Sequence, residues 1–225
     1  MSEENSAPPT LVSKLSSDFI LGILISILAI GTATASYISA MSDSDQTKYN
    51  VLGMTTVTSA NADALSVNQE IGQDYSYYDS FYLNQDKADI ADYYRYNFSD
   101  ELEAGIKRSE ADTNKDADPF DDQYYSEKYS ASDKKFALAK TALKLAEDFN
   151  QRGDEFQLVV LIGSIGLAFG AFAAILPDGR KLRLAFTILS LIIMIYGLFT
   201  WLKAPAPPVV PAELSTLTAE ATPAP

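Results

Sequence analysis

The chain contains no cysteine and no histidine among its 225 residues. Without cysteine there is no disulfide framework and no thiolate chemistry. Without histidine a Ser-His-Asp triad, an imidazole proton shuttle and most zinc sites are excluded. Basic residues are scarce as well: 17 Lys and Arg face 30 Asp and Glu, a formal net charge of −13. Such a surplus repels nucleic acid and anionic headgroups, so neither is expected as a partner. No Gly-rich phosphate loop, Walker lysine or nucleophile elbow occurs. The expectation is a non-enzymatic protein that needs no cofactor and no metal.

Charge is also missing locally. Residues 19–40, 156–176 and 184–202 form three apolar runs without one charged side chain. About 20 residues at about 1.5 Å each cover roughly 30 Å of hydrocarbon, so each run is long enough to cross a bilayer. Three transmembrane helices are therefore expected. A cleaved signal peptide competes for the first, because Ala33-Thr34-Ala35 has the small residues of a cleavage site. The anchor is preferred, since Glu3, Glu4 and Asp18 precede the run with only Lys14 to oppose them, and the run exceeds the length of a signal core.

Orientation is read from residues 177–183, "PDGRKLR", where Asp178-Gly179 turns the second span back into the third. Its cations Arg180, Lys181 and Arg183 are the densest basic cluster beside any span, which makes the loop cytoplasmic by the positive-inside rule. The tail 1–18 is then cytoplasmic, while residues 41–155 and 203–225 are extracytoplasmic. Residues 41–155 hold 24 acidic and 12 basic side chains, so nearly all the charge imbalance falls in one ectodomain. The last segment, rich in Pro, Ala and Thr, cannot build a core and is expected to be disordered.

Within the ectodomain the apolar period is helical. Val57, Ala60, Ala64, Val67, Ile71, Tyr78 and Phe81 form one stripe, which Asp74 interrupts. Ala91, Tyr94, Phe98, Leu102 and Ile106 form a second, with Ser99-Asp100-Glu101 able to start a new helix. Residues 132–150 are the clearest helix: Leu138, Ala142, Leu145 and Phe149 make one stripe and Phe136, Ala139, Leu143 and Ala146 its neighbour. This helix is expected to run into the second span with a weak point at Gly153.

Tyrosine is abundant: 13 residues, many in "QDYSYYDSFY" (73–82) and "DYYRYNF" (92–98). Two readings stand side by side. In one, the rings fill a thin helical core while their hydroxyls reach water. In the other they form a docking face. Tyr78 continues the stripe and is assigned to the seam, with Tyr82 on the same helical face, whereas Tyr77 and Tyr93 lie off their stripes and are the candidates for partner docking. In the second span the spacing Gly166-xxx-Gly170, extended by Ala174, is a smooth face for close helix packing. The segment from Asp112 resembles a calcium loop at Asp112, Asn114, Asp116 and Asp118. Ala117 and Gln123 replace the glycine and the bidentate glutamate such a loop requires, so a solvated linker is preferred.

Some features together carry a resemblance. They are one N-terminal span, an extracytoplasmic segment with Asp118-Pro119-Phe120, a charged helix "AKTALKLAEDFNQRGDEFQL" (139–158) entering a span, and a basic Arg-Lys-Leu-Arg hairpin. This layout resembles a group of uncharacterised bacterial inner-membrane proteins. The resemblance implies bacterial origin, an inner-membrane location, three spans and a helical ectodomain, and carries over no functional residue.

The sequence thus predicts an all-α membrane protein with three transmembrane helices and a helical, acidic extracytoplasmic domain. The expected role is an accessory or scaffold subunit of a larger membrane or envelope assembly, its partners the bilayer and other membrane-protein subunits or further copies of the chain. The alternative is a small oligomeric channel or transport component, for which only Ser26, Thr32, Thr34 and Ser36 offer polar groups on the first span. The absence of charge within the spans argues against conduction.

Overall fold

The computed structural model describes residues 17–112, 117–178, 180–214 and 216. Helix accounts for 87% of these and no strand occurs among them, so the all-α expectation holds. The elements are α1 (Asp18–Leu83), α2 (Ala88–Tyr96), α3 (Asp100–Ala111), α4 (Asp122–Ile175) and α5 (Lys181–Lys203). Helices α1, α4 and α5 each contain a stretch long and apolar enough to cross a membrane. In these stretches only 22%, 33% and 22% of residues are buried by the protein itself, so most of their apolar surface requires another apolar medium.

Two of the helices are longer than the apolar runs. Helix α1 continues the first run to Leu83, and α4 begins at Asp122 and passes without interruption into the second run. Gly153 is therefore not a weak point. A glycine inside a helix costs about 1 kcal/mol relative to alanine, so its presence calls for a reason. A Cβ there would lie 2.6 Å from Oδ1 of Asp43, and the Gly153 carbonyl accepts a 3.1 Å hydrogen bond from the Ser39 hydroxyl. The glycine lets α1 approach α4, and tertiary contact holds the helix together across it.

The chain forms two compact units, Met1–Tyr49 with Lys144–Pro211, and Asn50–Leu143 with Ala212–Pro225. In the first, α1 buries Leu21, Leu24, Leu28, Ala35, Ser39, Ser42 and Tyr49. These recur at three, four and seven residues, the seam of left-handed helix packing. Tyr49 stacks on Phe149 with centroids 5.7 Å apart, and Phe156 meets Trp201 edge-on at 5.2 Å. The α4–α5 hairpin is pinned by Arg183, whose side chain is only 3% exposed. It donates to the Leu176 carbonyl and pairs with the carboxylates of Asp18 and Asp178. The sequence counts Arg183 with Arg180 and Lys181 as a loop cation. In the fold it is a buried staple between the start of α1, the turn and α5.

The segment after α5 also departs from expectation. Pro205, Ala206 and Pro208 line a shallow groove with Asp148 and Gln151 in the first unit. In the second, Glu213 and Thr216 flank Lys134, Ala137, Leu138 and Thr141, and Leu214 is 1% exposed. The tail therefore adds a buried leucine where composition alone indicated no core.

A candidate docking surface and the polar network beneath it

The second unit packs the end of α1, helix α3 and the start of α4 around Ile71, Leu102, Ile106, Phe120 and Tyr124, and α2 lies against α1 through Tyr94 on Tyr77. The break foreseen at Ser99 is present. Helix α2 ends at Tyr96, and Ser99 caps α3, its hydroxyl accepting from the Leu102 amide at 3.2 Å. The Asp118-Pro119-Phe120 element is equally local in origin. The Asp118 carboxylate accepts from the Phe120 amide at 2.9 Å and so turns the chain, and the Phe120 ring stacks on Tyr75 at 3.9 Å. Gly105 of α3 lies against the Pro119 carbonyl so closely that no Cβ would fit. Arg108 then clasps Asp121 through two 2.7 Å hydrogen bonds, and Asp121 caps α4 by accepting from the Tyr124 amide at 2.7 Å. The Arg108 bond, opposed by burial and aided by the backbone amides, holds the Asp121 carboxyl down at about 2.

Asp74, which interrupts the apolar stripe in the sequence, is the centre of this unit's polar network. It is buried, and it accepts from the Ser99 amide (3.2 Å), the Ser99 hydroxyl (2.6 Å) and the Tyr124 hydroxyl (2.8 Å). The buried ammonium of Lys128 lies 3.5 Å from Asp74, 3.1 Å from Glu101 and 3.4 Å from Glu70. Burial disfavours the Lys128 charge, yet the Glu101 hydrogen bond and the Asp74 and Glu101 charges outweigh it and raise its pKa. Burial likewise opposes ionisation of Glu101, but its backbone bond and Lys128 hold the carboxyl below its ordinary range. The Tyr124 phenol is pushed up by burial and by the bond to Asp74. One ammonium is shared by three carboxylates and Asp74 is satisfied by two hydroxyls as well, so the network is a clasp between α1, α3 and α4. Sequence reasoning missed it because its members are dispersed; the one available signal was a lone carboxylate on an otherwise apolar stripe.

The tyrosines divide between core and surface. Tyr78 is half-buried and packs on the core, its ring 5.6 Å from Phe120 and 6.3 Å from Phe98. Tyr82, on the same helical face, is 65% exposed. Four residues further along α1 places it beyond the reach of the α3 and α4 core. Tyr78→Ala is expected to cost about 2 kcal/mol, roughly half the usual penalty for a fully buried aromatic, and Tyr82→Ala less than about 0.5 kcal/mol. Thermal unfolding of the two variants checks this ordering, and equal losses would refute it.

Tyr77 and Tyr93 lie on different helices, yet the fold brings them onto one continuous surface. Tyr94 of α2 is the link: its centroid is 6.3 Å from Tyr77 and 5.4 Å from Tyr93. Tyr77 is half-buried and its hydroxyl accepts from Gln73 at 3.0 Å. Tyr93 is 62% exposed and Tyr96, one turn on, is 90% exposed. Large rings left this open to solvent are uncommon away from interfaces.

Of the helix-packing residues, Gly166 and Gly170 occupy tight positions between α1 and α5. A Cβ on Gly166 would stand 3.1 Å from Leu28 and 3.2 Å from Ile193, and one on Gly170 would stand 3.0 Å from Ile25 and 3.3 Å from Ser190. The Ser190 hydroxyl donates to the Gly166 carbonyl at 2.8 Å. Ala174 is exposed, and Ala173, with no exposure, carries the stripe onward. The packed face follows a repeat of seven rather than eight residues from Gly166, so it includes Gly163, where an added Cβ would collide with Thr32.

Asn114 and Asp116 of the acidic loop lie outside the described residues, and among the described residues no cluster of acidic side chains has the geometry of a metal site. Comparisons with protein-family models, curated protein sequences and solved structures yield no match.

Proposed function

We propose that this chain is a non-catalytic accessory or scaffold subunit of a larger membrane or envelope assembly, held in a bacterial inner membrane by α5 and the apolar parts of α1 and α4. One observation carries the reading. The second unit commits its buried charges to one another through Asp74 and Lys128, while Tyr93 and Tyr96 remain in solvent beside Tyr94 and Tyr77. A catalyst keeps polar groups available for substrate, whereas a docking subunit keeps rigid aromatic surface available for a partner. Mild-detergent purification followed by mass spectrometry of co-eluting proteins tests it. Tyr77→Ala and Tyr93→Ala are expected to keep the wild-type melting curve and to lose the partner; retention of every co-eluting protein would refute the reading.

In the proposed topology residues 177–183 face the cytoplasm and the acidic domain lies outside. The chain has no cysteine of its own, so single replacements report cleanly. An impermeant thiol reagent applied to intact cells is expected to label Ser126→Cys and to spare Gly179→Cys. The opposite pattern would invert the topology.

A further inference from the structure

The outer face of α2 has a composition that specifies a partner chemistry. Asp89, Asp92, Tyr93 and Tyr96 are all exposed and stand at helical spacings of three and four residues, so two carboxylates and two phenol rings share one side. Ala91, on the far side, is the buried residue of the helix. Among the described residues neither Asp89 nor Asp92 forms an ion pair. The nearest cations on this helix are Lys87 and Arg95; Arg95 feels the Asp92 charge, but its guanidinium is paired with Glu103.

Arg95 shows what such a set of groups binds. Its guanidinium lies 5.9 Å from the Phe81 ring centroid and is paired with Glu103 through Nε at 3.1 Å and Nη2 at 3.4 Å. A planar, partly exposed cation thus sits with a ring and a carboxylate beside α2. The face of Asp89, Asp92, Tyr93 and Tyr96 presents the same two components, and among the described residues no cation is ion-paired there. Cation–π attraction and a carboxylate fork favour a guanidinium over any neutral group.

Resting on the docking reading above, we infer that the Asp89, Asp92, Tyr93 and Tyr96 face of α2, continued by Tyr94 and Tyr77, receives an arginine-bearing segment of a partner protein. A second copy of this chain is a poor occupant. It would set Asp89 and Asp92 against their own counterparts in a chain that already carries a net charge of −13.

Two measurements on the full-length protein in neutral-lipid nanodiscs and in native membranes test this. The first titrates a fluorescein-labelled octa-arginine peptide. Tyr93→Ser with Tyr96→Ser is expected to weaken binding about five-fold, Asp92→Asn by a further factor of about three, and the distant Asp133→Asn by less than about two-fold. Asp92 is chosen because Asp89 also faces the positive end of α2. Equal weakening by Asp92→Asn and Asp133→Asn, with no effect of the tyrosine pair, would reduce the binding to generic polyanion attraction and overturn the inference. The second places a photo-reactive phenylalanine analogue at position 93 or 96 in cells and maps the adduct. An adduct peptide bearing arginine supports the inference. One lacking arginine overturns it and leaves the docking reading standing. Absence of any adduct at both 93 and 96 would sink the docking reading itself.

Discussion

Asp74→Ala is expected to lower the unfolding free energy by about 3–5 kcal/mol, the usual cost of removing one partner from a buried charged pair. The replacement takes the acceptor from the Tyr124 hydroxyl, the Ser99 hydroxyl that also caps α3 and the Ser99 amide, and leaves the Lys128 ammonium, whose side chain is 4% exposed, with Glu70 and Glu101 but without its one buried carboxylate. Lys128→Met should cost less, because Glu70 and Glu101 are exposed enough to be rehydrated (54% and 35%) and Asp74 keeps its hydroxyl partners. Unfolding in mild detergent, followed by near-ultraviolet circular dichroism of the tyrosines, measures both. An Asp74→Ala protein within about 0.5 kcal/mol of wild type would mean that the network does not hold the unit together.

That network and the Arg108–Asp121 clasp set the pH limits. Glu101 and Asp121 have folded-state pKa values below their ordinary 4.5 and 3.8, so their contributions are complete above those values and are lost as pH falls through the depressed ones, about 2 for Asp121. Lys128 has a folded-state pKa above its ordinary 10.5, so its contribution is complete below that value and is lost as pH rises through the raised one. Stability from these groups should therefore be flat between about pH 5 and 10 and fall on both sides. Lys128→Met should abolish the alkaline fall due to this group and shrink the acid fall by the part of the Glu101 share that Lys128 supplies, leaving the part due to its backbone bond and that of Asp121.

The other large effect is expected within the apolar helices. Gly170→Leu forces a branched side chain between Ile25 of α1 and Ser190 of α5, which already stand 3.0 and 3.3 Å from where its Cβ must go. Overpacking costs about 1–3 kcal/mol where one neighbour must yield, and here two helices are displaced together, so the loss should reach or exceed the top of that range. Ala174→Leu, four residues on, adds the same bulk to an exposed position and should change the melting temperature little. Comparable losses from both would show that α4 packs in a different phase.

The helical period, the three apolar runs, the new start at Ser99 and the tight turn before α5 were legible in the sequence because each is decided by neighbours within a turn or two. Hydropathy over about 20 residues sets a spanning length, and a serine hydroxyl three residues before an amide sets a cap. The candidate surface was legible only in part. Off-stripe spacing marked Tyr77 and Tyr93 separately, but it contained nothing about Tyr94 joining them, since that contact spans two helices and the turn between them.

What the sequence by itself determined is therefore the material and period of the chain: helices throughout, three of them apolar enough for a bilayer, and an acid-rich segment between the first two apolar runs. What only the tertiary structure decided is how those helices are phased against one another. Whether the small face of α4 continues through Ala173 or Ala174 depends on a repeat of seven or eight residues, which sequence spacing permits equally. Whether Gly153 bends or binds depends on Ser39, 114 residues away. Asp74 reads as a flaw in a stripe until Tyr124, 50 residues on, and Lys128 arrive to satisfy it. A buried charge is tolerable only when distant partners converge on it, and convergence is a property of packing rather than of order along the chain.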